Sequence, residues 1–169
     1  MRLTTYEMRS SDHPILVEAL RVLYIEALAE LATKPLVANT PEQQLAWWQG
    51  VNHMKSFFWL LFEPERPWDP VGFVKLTRHD AGYYTPMFAL AKRVHGKGYG
   101  REVIQFYLDK AKGLPLWGAQ LVSNAAICHL NQEAGWIVKH EQDGVQHLFH
   151  PNHDNYPQRA YDEIVRYHS

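Results

Sequence analysis

The amino-acid sequence predicts a mixed α/β fold, in which helices cover both faces of a sheet of about seven strands. Strand-like and helix-like segments follow one another in the order strand, two helices, three strands, helix, strand, helix, two strands. The glycine-rich run His95–Gly100 leads into a helix between two strands, and such a crossover makes those strands parallel. Turn sequences at Asp80–Gly82 and Asp143–Gly144 make their flanking strands antiparallel. The sheet is therefore expected to be mixed.

The first half of the chain predicts a strand, two helices and three further strands. Arg2–Arg9 alternates loosely, and apolar residues then recur at helical spacing over Leu16–Leu31. Thr40 and Gln43 have the spacing of a capping box, so a second helix starts there and runs to about Gly50. Three apolar segments that follow predict strands: Ser56–Phe62, Val71–Arg78 and Tyr83–Ala91.

The second half predicts three helices and three strands. Apolar residues over Val103–Ala111 form one helical face after the glycine-rich run, and Leu116–Ser123 then predicts a strand. Asn124 caps a further helix, which Gly135 ends. The last strand pair is Trp136–His140 with Val145–His150. Tyr156–His168 predicts a C-terminal helix.

Composition limits the classes of function. A chain of 169 residues fits one domain, residues 1–169, and its formal charge of −1 supplies no field for capturing nucleic acid or an anionic membrane. No stretch approaches 18 apolar residues, and Met1 leads directly into mixed polar sequence, so we expect a cytoplasmic protein. The single cysteine, Cys128, excludes an internal disulfide and a multi-cysteine zinc site.

The ten histidines do not predict a metal site. His147 and His150 would point to opposite faces of a strand, which places them poorly for sharing one ion. We therefore expect histidines that lie at the surface or bond to a partner, and no metal.

The glycine-rich run is the strongest chemical signal in the sequence. It lacks the spacing of a nucleotide P-loop, and its glycines read G-x-G-x-G rather than the dinucleotide fingerprint G-x-G-x-x-G. A glycine loop at a helix N-terminus presents unpaired backbone N–H groups to an anion. Taken alone, the run fits a tight strand-to-helix turn and an anion site about equally well.

Two segments together resemble the GNAT superfamily of N-acetyltransferases. Phe88–Arg101 is similar to the family's cofactor motif, in which a strand leads into Arg/Gln-x-x-Gly-x-Gly/Ala and then a helix. Asn124–Trp136 is similar to a second signature, an Asn followed by a helix and then Gly-Phe. The resemblance implies a mostly antiparallel sheet with a V-shaped splay between the fourth and fifth strands. It also implies acetyl-CoA as the acyl donor.

The resemblance assigns acetyl-CoA binding to two parts of the chain. Backbone N–H groups of Gly96, Gly98 and Gly100 would hold the pyrophosphate, while Lys97 and Arg101 would add positive charge. The backbone of the fourth strand would pair with the pantetheine arm, and Asn124 would bond that arm or cap its helix. The implied cofactor residues are Phe88, Leu90, Ala91, His95, Gly96, Lys97, Gly98, Tyr99, Gly100, Arg101, Asn124 and Asn131.

Two positions depart from the family pattern. His95 stands where Arg or Gln is usual, so we expect acetyl-CoA affinity to fall as pH rises above about 6.5 and the imidazole loses its charge. Asn131 stands where many members carry the Tyr that protonates the departing CoA thiolate. Asn has no proton to transfer, although its amide N–H can bond sulfur. We interpret nearby Cys128 as a small core residue rather than a nucleophile.

The implied reaction is direct attack of a neutral amine on the acetyl thioester, with a backbone N–H near Leu90 stabilising the oxyanion. The catalytic candidates are Tyr84, Glu26 and Asn131, while His79, Asp80 and Tyr83 are alternative bases.

The aromatic residues suggest a small acceptor with a primary amine, such as an amino sugar. Thr33–Asn39, Trp47 and Trp48 would border its cleft. A protein or peptide amine acetyltransferase and a non-catalytic CoA-binding module are the alternatives. We expect a monomer or a homodimer.

Overall fold

The computed structural model describes residues 1–28, 40–152, 162 and 164–166. Its helices and strands follow the predicted order. They are β1 (Thr4–Glu7), α1 (Pro14–Leu28), α2 (Pro41–Gly50), β2 (Ser56–Phe62), β3 (Pro70–His79), β4 (Tyr83–Leu90), α3 (Tyr99–Lys110), β5 (Leu116–Leu121), α4 (Ala125–Glu133), β6 (Ile137–Gln142) and β7 (Val145–His150). The first strand is shorter than predicted, and a 3-10 turn over Lys92–Val94 was not anticipated.

Two of the predicted helices lie partly outside the described residues. The predicted extension of α1 to Leu31 lies beyond its described end, and the C-terminal helix is described only at residue 162 and residues 164–166, which are helical. Ile164 is completely buried and packs with Tyr83, Trp117 and Phe149. This segment therefore covers the sheet where β4 and β5 meet.

The sheet confirms the predicted mixed topology. Its seven strands lie in the order β1-β2-β3-β4-β5-β7-β6, and every neighbouring pair is antiparallel except β4 and β5. Those two strands are parallel and pair only at Tyr84 and Leu116. They begin together and diverge toward their C-terminal ends, which is the predicted V-shaped splay.

Helices cover both faces of the sheet, as predicted. Register places Trp59, Val74 and Phe88 on one face, where Trp59 contacts α3 through Phe106. The opposite face packs against α2, because Trp48 lies edge-on to Phe58 with ring centroids 5.1 Å apart. Alternating strand residues thus bury apolar side chains on both faces. None of the helices that the structure describes is long and apolar enough to cross a membrane.

Candidate active site

The splay leaves one edge of β4 without a strand partner beyond Tyr84. Tyr84 donates its backbone N–H to the carbonyl of Pro115, at 2.9 Å, whereas the N–H of Ala91 bonds Val71 on β3. Alternate residues point their backbone groups to opposite edges, so Phe88 and Leu90 direct theirs into the gap between β4 and β5. Ala91 directs its own N–H away from the gap.

Pro86 fits this arrangement because it lies on the same alternation as Tyr84. Its missing N–H would face the gap, where β5 makes no hydrogen bond with β4. A proline within β4 therefore leaves the β3–β4 ladder intact.

The glycine-rich run builds the turn from β4 into α3. Gly96 and Gly98 adopt positive φ angles of 79° and 80°, and Gly98 is the N-cap of α3. These conformations strain residues that carry a Cβ. Within the described part of the chain, the backbone N–H groups of Gly96, Lys97 and Gly98 donate to no acceptor. Three free donors thus meet the positive end of the α3 dipole.

Gly100 serves a different purpose from the two glycines before it. A Cβ at this position would lie 2.7 Å from Cδ1 of Leu130. The missing side chain therefore lets the first turn of α3 approach α4. This contact links the two segments that carry the predicted signatures.

The cations near the turn are paired with carboxylates. The ammonium of Lys97 donates to Oε1 of Glu63 at 2.6 Å, and the hydroxyl of Tyr99 donates to the same oxygen at 2.8 Å. These two hydrogen bonds hold the pKa of Glu63 below its usual value. Arg101 donates to Glu133 at 2.9 and 3.0 Å, beside a cavity of about 460 Å³ between α3 and α4.

Arg2 also belongs to this region, which the sequence analysis missed. Its guanidinium donates to the carbonyl of Lys97 at 2.7 Å and lies 4.9 Å from the ring centroid of Tyr99. Its backbone N–H donates to Glu102 at 2.6 Å. The strand-like pattern around Arg2 indicated an element but gave no signal of a contact with residues about 95 positions later.

The side chain of His95 contacts the backbone of β4. Its Nε2 lies 3.0 Å from the carbonyl oxygen of Leu90, so Nε2 is the donor in this hydrogen bond. The imidazole thereby bridges the end of β4 and the start of the glycine turn.

Asn124 and Cys128 lie at the start of α4. The side-chain oxygen of Asn124 accepts from the N–H of Ile127 at 3.3 Å, which is the predicted capping role. The thiol of Cys128 is half-buried and donates to the carbonyl of Leu121 at 3.6 Å. Burial raises the pKa of this thiol, which disfavours the nucleophilic thiolate.

Asn131 is buried against β5, with 8% of its surface exposed. Its Nδ2 donates to Oε1 of Gln120 at 2.7 Å, while its Oδ1 is buried and accepts no hydrogen bond from the described chain. The amide N–H expected to bond sulfur is therefore directed at Gln120.

Glu26 and Tyr84 lie near opposite ends of β4. Glu26 is 3.6 Å from the guanidinium of Arg93, which follows the C-terminal end of β4, whereas Tyr84 lies where β4 pairs with β5. The strand rise puts Tyr84 and Leu90 about 20 Å apart. One small acceptor therefore cannot contact both candidate bases.

The predicted aromatic border of the acceptor cleft needs a correction. Trp48 is 1% exposed and packs on Phe58 and His53, so it is part of the core rather than a cleft wall. Trp47 is half-buried and lies edge-on to Phe58. The third predicted border, Thr33–Asn39, lies outside the described residues.

The histidines on the last strand pair contact other groups of the fold. His140 and His147 stack with ring centroids 4.4 Å apart, and Nε2 of His150 contacts the carbonyl of Ala134 at 2.9 Å. Among the residues that the structure describes, no three His, Cys, Asp or Glu side chains are grouped so that they could hold a metal ion.

The sequence matches the family model described as acetyltransferase (GNAT) family over residues 19–136, which is more than half of the chain. The chain belongs to the GNAT acetyltransferase family. It is therefore an N-acetyltransferase with acetyl-CoA as its acyl donor. No curated protein matches the sequence.

Solved structures share the fold of this acetyltransferase at low sequence identity. The ribosomal-protein-S5-alanine acetyltransferase from Vibrio fischeri is 18% identical, with a TM-score of 0.73 over 93% of this chain and 96% of its own. The dodecameric spermidine N-acetyltransferase from Vibrio cholerae is 14% identical, with a TM-score of 0.67 over 89% of this chain and 94% of its own. The Salmonella typhimurium protein yncA, solved with its cofactor acetyl-CoA, is 14% identical, with a TM-score of 0.65 over 93% and 98%.

In this acetyltransferase, the predicted cofactor residues group on both sides of the gap. The β4 end, His95 and the glycine turn form one side, while Asn124 and Asn131 on α4 lie on the other. Arg2 and Gln120 were not predicted from the sequence as residues of this site. The one signal for Gln120 was a polar residue on the inward alternation of an apolar strand, together with Leu116 and Gly118.

Proposed function

We propose that this acetyltransferase moves the acetyl group of acetyl-CoA to the primary amine of a small molecule, such as an amino sugar. The observation that carries the proposal is the gap between β4 and β5, which ends at a glycine turn with free backbone donors. In a GNAT acetyltransferase, the gap suits the pantetheine arm of acetyl-CoA and the glycine turn suits its pyrophosphate.

The extended pantetheine arm would lie along the open edge of β4. Its amide groups match the backbone N–H and C=O of Phe88 and the N–H of Leu90, which face the gap without a strand partner. The pyrophosphate would accept hydrogen bonds from the N–H groups of Gly96, Lys97 and Gly98. Lys97 and Arg101 would add charge by exchanging their carboxylate partners for phosphate oxygens.

The chemistry requires one bond to form and one to break. The neutral amine nitrogen attacks the thioester carbonyl carbon, the C–S bond breaks, and the products are an amide and CoA. The attacking nitrogen loses one proton and the CoA thiolate takes one up. The N–H of Leu90, directed into the gap, is our candidate for stabilising the oxyanion.

Glu26 is the better placed candidate for the base, because Tyr84 lies about 20 Å along β4 from Leu90, the candidate oxyanion donor. The carboxylate of Glu26 is 3.6 Å from the guanidinium of Arg93, just beyond the end of β4 at which Leu90 lies. The hydroxyl of Tyr84 makes no hydrogen bond within the described residues, but its side chain lies against the core at the closed end of the gap, far from Leu90.

The charge distribution favours a small amine over a polybasic chain. Among the described residues, three carboxylates near β4 already contact cations: Glu26 and Asp69 contact Arg93, and Glu63 contacts Lys97. Polyamines and basic peptides are held by groups of free carboxylates, which these ion pairs neutralise. A small molecule with a single amine can be bound without such a group of free carboxylates.

Release of CoA thiol, followed with a thiol reagent, tests the proposal. The panel contains amino sugars, single-amine compounds, spermidine and peptides that begin with alanine, each with acetyl-CoA. We expect turnover with at least one amino sugar or single-amine compound and a lower kcat/KM for spermidine and the peptides.

Two other results would reject the small-amine assignment. Turnover confined to peptides would indicate a protein acetyltransferase. Tight acetyl-CoA binding without turnover on any amine would indicate a non-catalytic CoA-binding module. Binding measured by calorimetry separates the second result from an inactive preparation.

A further inference from the structure

A row of polar side chains crosses the β5-β7-β6 half of the sheet and ends at Asn131. Register places Glu141 opposite Gln146, and Gln146 opposite Gln120. Nε2 of Gln146 donates to Glu141 at 2.9 Å, and Nε2 of Gln120 donates to Gln146 at 2.8 Å. Nδ2 of Asn131 donates to Gln120 at 2.7 Å. The four side chains form a continuous chain from the exposed edge strand to buried α4, which we call the amide row.

The carboxylate at the exposed end sets the direction of the amide row. An ionised carboxylate only accepts hydrogen bonds, so Gln146 must turn its NH₂ group toward Glu141 and its oxygen toward Gln120. The same requirement then turns the oxygen of Gln120 toward the NH₂ group of Asn131. Asn131 is left with its Oδ1 directed away from the row.

That oxygen is a buried acceptor without a donor. Asn131 is 8% exposed, and its Oδ1 accepts no hydrogen bond from the described residues. Buried polar atoms in folded proteins nearly always have a partner, and an exception calls for a reason. Gln120 lies on β5 beyond Leu116, where β5 no longer pairs with β4. Asn131 therefore packs against the part of β5 that borders the gap.

We infer that Oδ1 of Asn131 accepts a hydrogen bond from an N–H group of the ligand in the gap, and that Glu141, Gln146 and Gln120 are positioning residues that fix this orientation. The inference rests on the proposed function, because acetyl-CoA and its amine acceptor bring the N–H groups. The first source is an amide of the pantetheine arm, and the second is the acceptor amine. Asn131 thus binds ligand as an acceptor and does not donate to the CoA sulfur.

The test reverses the direction of the amide row from its exposed end. In a Glu141→Lys variant, the ammonium donates to Gln146, each amide turns over, and Asn131 presents its NH₂ group to the gap. We expect the Kd of CoA, measured by calorimetry, to rise about 5- to 30-fold, as for the loss of one buried hydrogen bond. Glu141→Gln, which can donate or accept, should give a smaller rise.

Glu7→Lys is the matched control. Glu7 is exposed on β1, at the opposite edge of the sheet, and the substitution makes the same change of charge. We expect Glu7→Lys to bind CoA as the unmodified chain does. Equal urea midpoints for Glu141→Lys and Glu7→Lys would show that reversal, rather than loss of folding, weakens binding.

A second substitution distinguishes orientation from a merely structural role. Asn131→Asp alone places a carboxylate oxygen against the oxygen of Gln120 and should weaken CoA binding. In the Glu141→Lys background, Gln120 donates to that carboxylate, whose second oxygen can accept from the ligand. The double variant should therefore bind CoA more tightly than either single variant.

The outcomes separate the inference from the proposed function. If the unmodified chain binds CoA and acetylates an amine while Glu141→Lys leaves both the Kd of CoA and the KM of that amine unchanged, the inference is overturned and the function stands. An unchanged Kd with a raised KM supports the inference with the amine as the donor. If the unmodified chain binds no CoA, the proposed function and the inference both fail.

Discussion

The two walls of the gap are built from different chemistry. The β4 wall consists of backbone N–H and C=O groups and continues into a glycine turn surrounded by exposed ion pairs. The β5 wall carries neutral amides, with Asn131 and Gln120 buried and linked side chain to side chain. The β4 wall offers backbone N–H donors near exposed charged side chains, whereas the β5 wall offers one side-chain acceptor, Oδ1 of Asn131.

Because of this difference, the two walls should respond to different changes: the β4 wall to salt and to loss of a glycine, and the β5 wall to reorientation of an amide. Exposed ion pairs weaken as salt screens them, whereas the hydrogen bond between the neutral, buried amides of Asn131 and Gln120 does not. The β4 wall depends on positions that only glycine fills without strain. The β5 wall depends on whether each side-chain amide directs its oxygen or its NH₂ group toward the next residue. The following substitutions test this contrast.

The largest effect is expected from Gly72→Val. A Cβ at Gly72 would lie 2.5 Å from the backbone oxygen of Ala89 and 2.8 Å from the side chain of Leu90. Because backbone atoms cannot move aside as a flexible side chain can, β3 and β4 must separate where β4 borders the gap. We expect the free energy of unfolding, measured in urea, to fall by about 3 kcal/mol.

Gly50→Val is the control for this substitution. Gly50 ends α2, and a Cβ there would meet no atom within 4 Å. Its unfolding free energy should change little. Equal losses in the two variants would contradict a specific close approach between β3 and β4.

Gly98→Ala tests the turn at the end of the β4 wall. Alanine at a φ of 80° costs about 1–2 kcal/mol, and relaxation of that strain rotates the N–H groups of the turn. We expect the KM for acetyl-CoA to rise about tenfold.

Gly82→Ala supplies a matched strain away from the site. Gly82 has a φ of 87° in the turn between β3 and β4, with open space around it. It should lose similar stability and keep its KM for acetyl-CoA. A raised KM in both variants would mean that general destabilisation, not the turn, controls binding.

Glu63→Gln tests the mobile charge near the turn. Without its carboxylate partner, Lys97 no longer has to leave an ion pair to reach phosphate, so acetyl-CoA should bind up to about fivefold more tightly. The gain should shrink as salt increases, because exposed charges are screened.

Glu65→Gln makes the same change of charge nearby without removing a hydrogen bond to Lys97. The Kd of acetyl-CoA, measured by calorimetry at low and high salt, should change less in this variant. A gain that matches Glu63→Gln would attribute the effect to net charge alone.

The β4 wall could be predicted from the sequence because its determinants are local. Gly96 and Gly98 are needed for positive φ angles within one turn, and such glycines stand out in a sequence. The antiparallel hairpins, the parallel crossover and the capping of α4 by Asn124 follow from patterns of a few residues. For this reason the predicted order of elements was confirmed, whereas the splay between β4 and β5 was expected from the family resemblance.

The β5 wall and the catalytic candidates depend on long-range pairing. Gln120 and Gln146 meet only because register aligns β5 with β7. The partner of Glu26, Arg93, comes from a turn that the pattern did not predict. Trp48 shows the same limit, since an aromatic residue gives equal signals for a pocket and for a core.

The smallest effect is expected from a change of pH, which acts on two histidines of β7, the strand that pairs with β5. Burial lowers the pKa of His150, and burial together with the charge of His140 lowers the pKa of His147. The unfolded chain therefore binds protons first as the pH falls below about 6.5, the ordinary histidine value. The stabilising contribution of the two histidines should be complete above that pH, fall between it and the folded pKa values, and level off below them.

We expect a lower urea midpoint at pH 5.5 than at pH 7.5, with a smaller difference after His150→Gln or His147→Gln. His13→Gln, at an exposed position, should keep the full difference. A midpoint that is equal or higher at pH 5.5 would show that these imidazoles are as easily protonated in the folded chain as in the unfolded one.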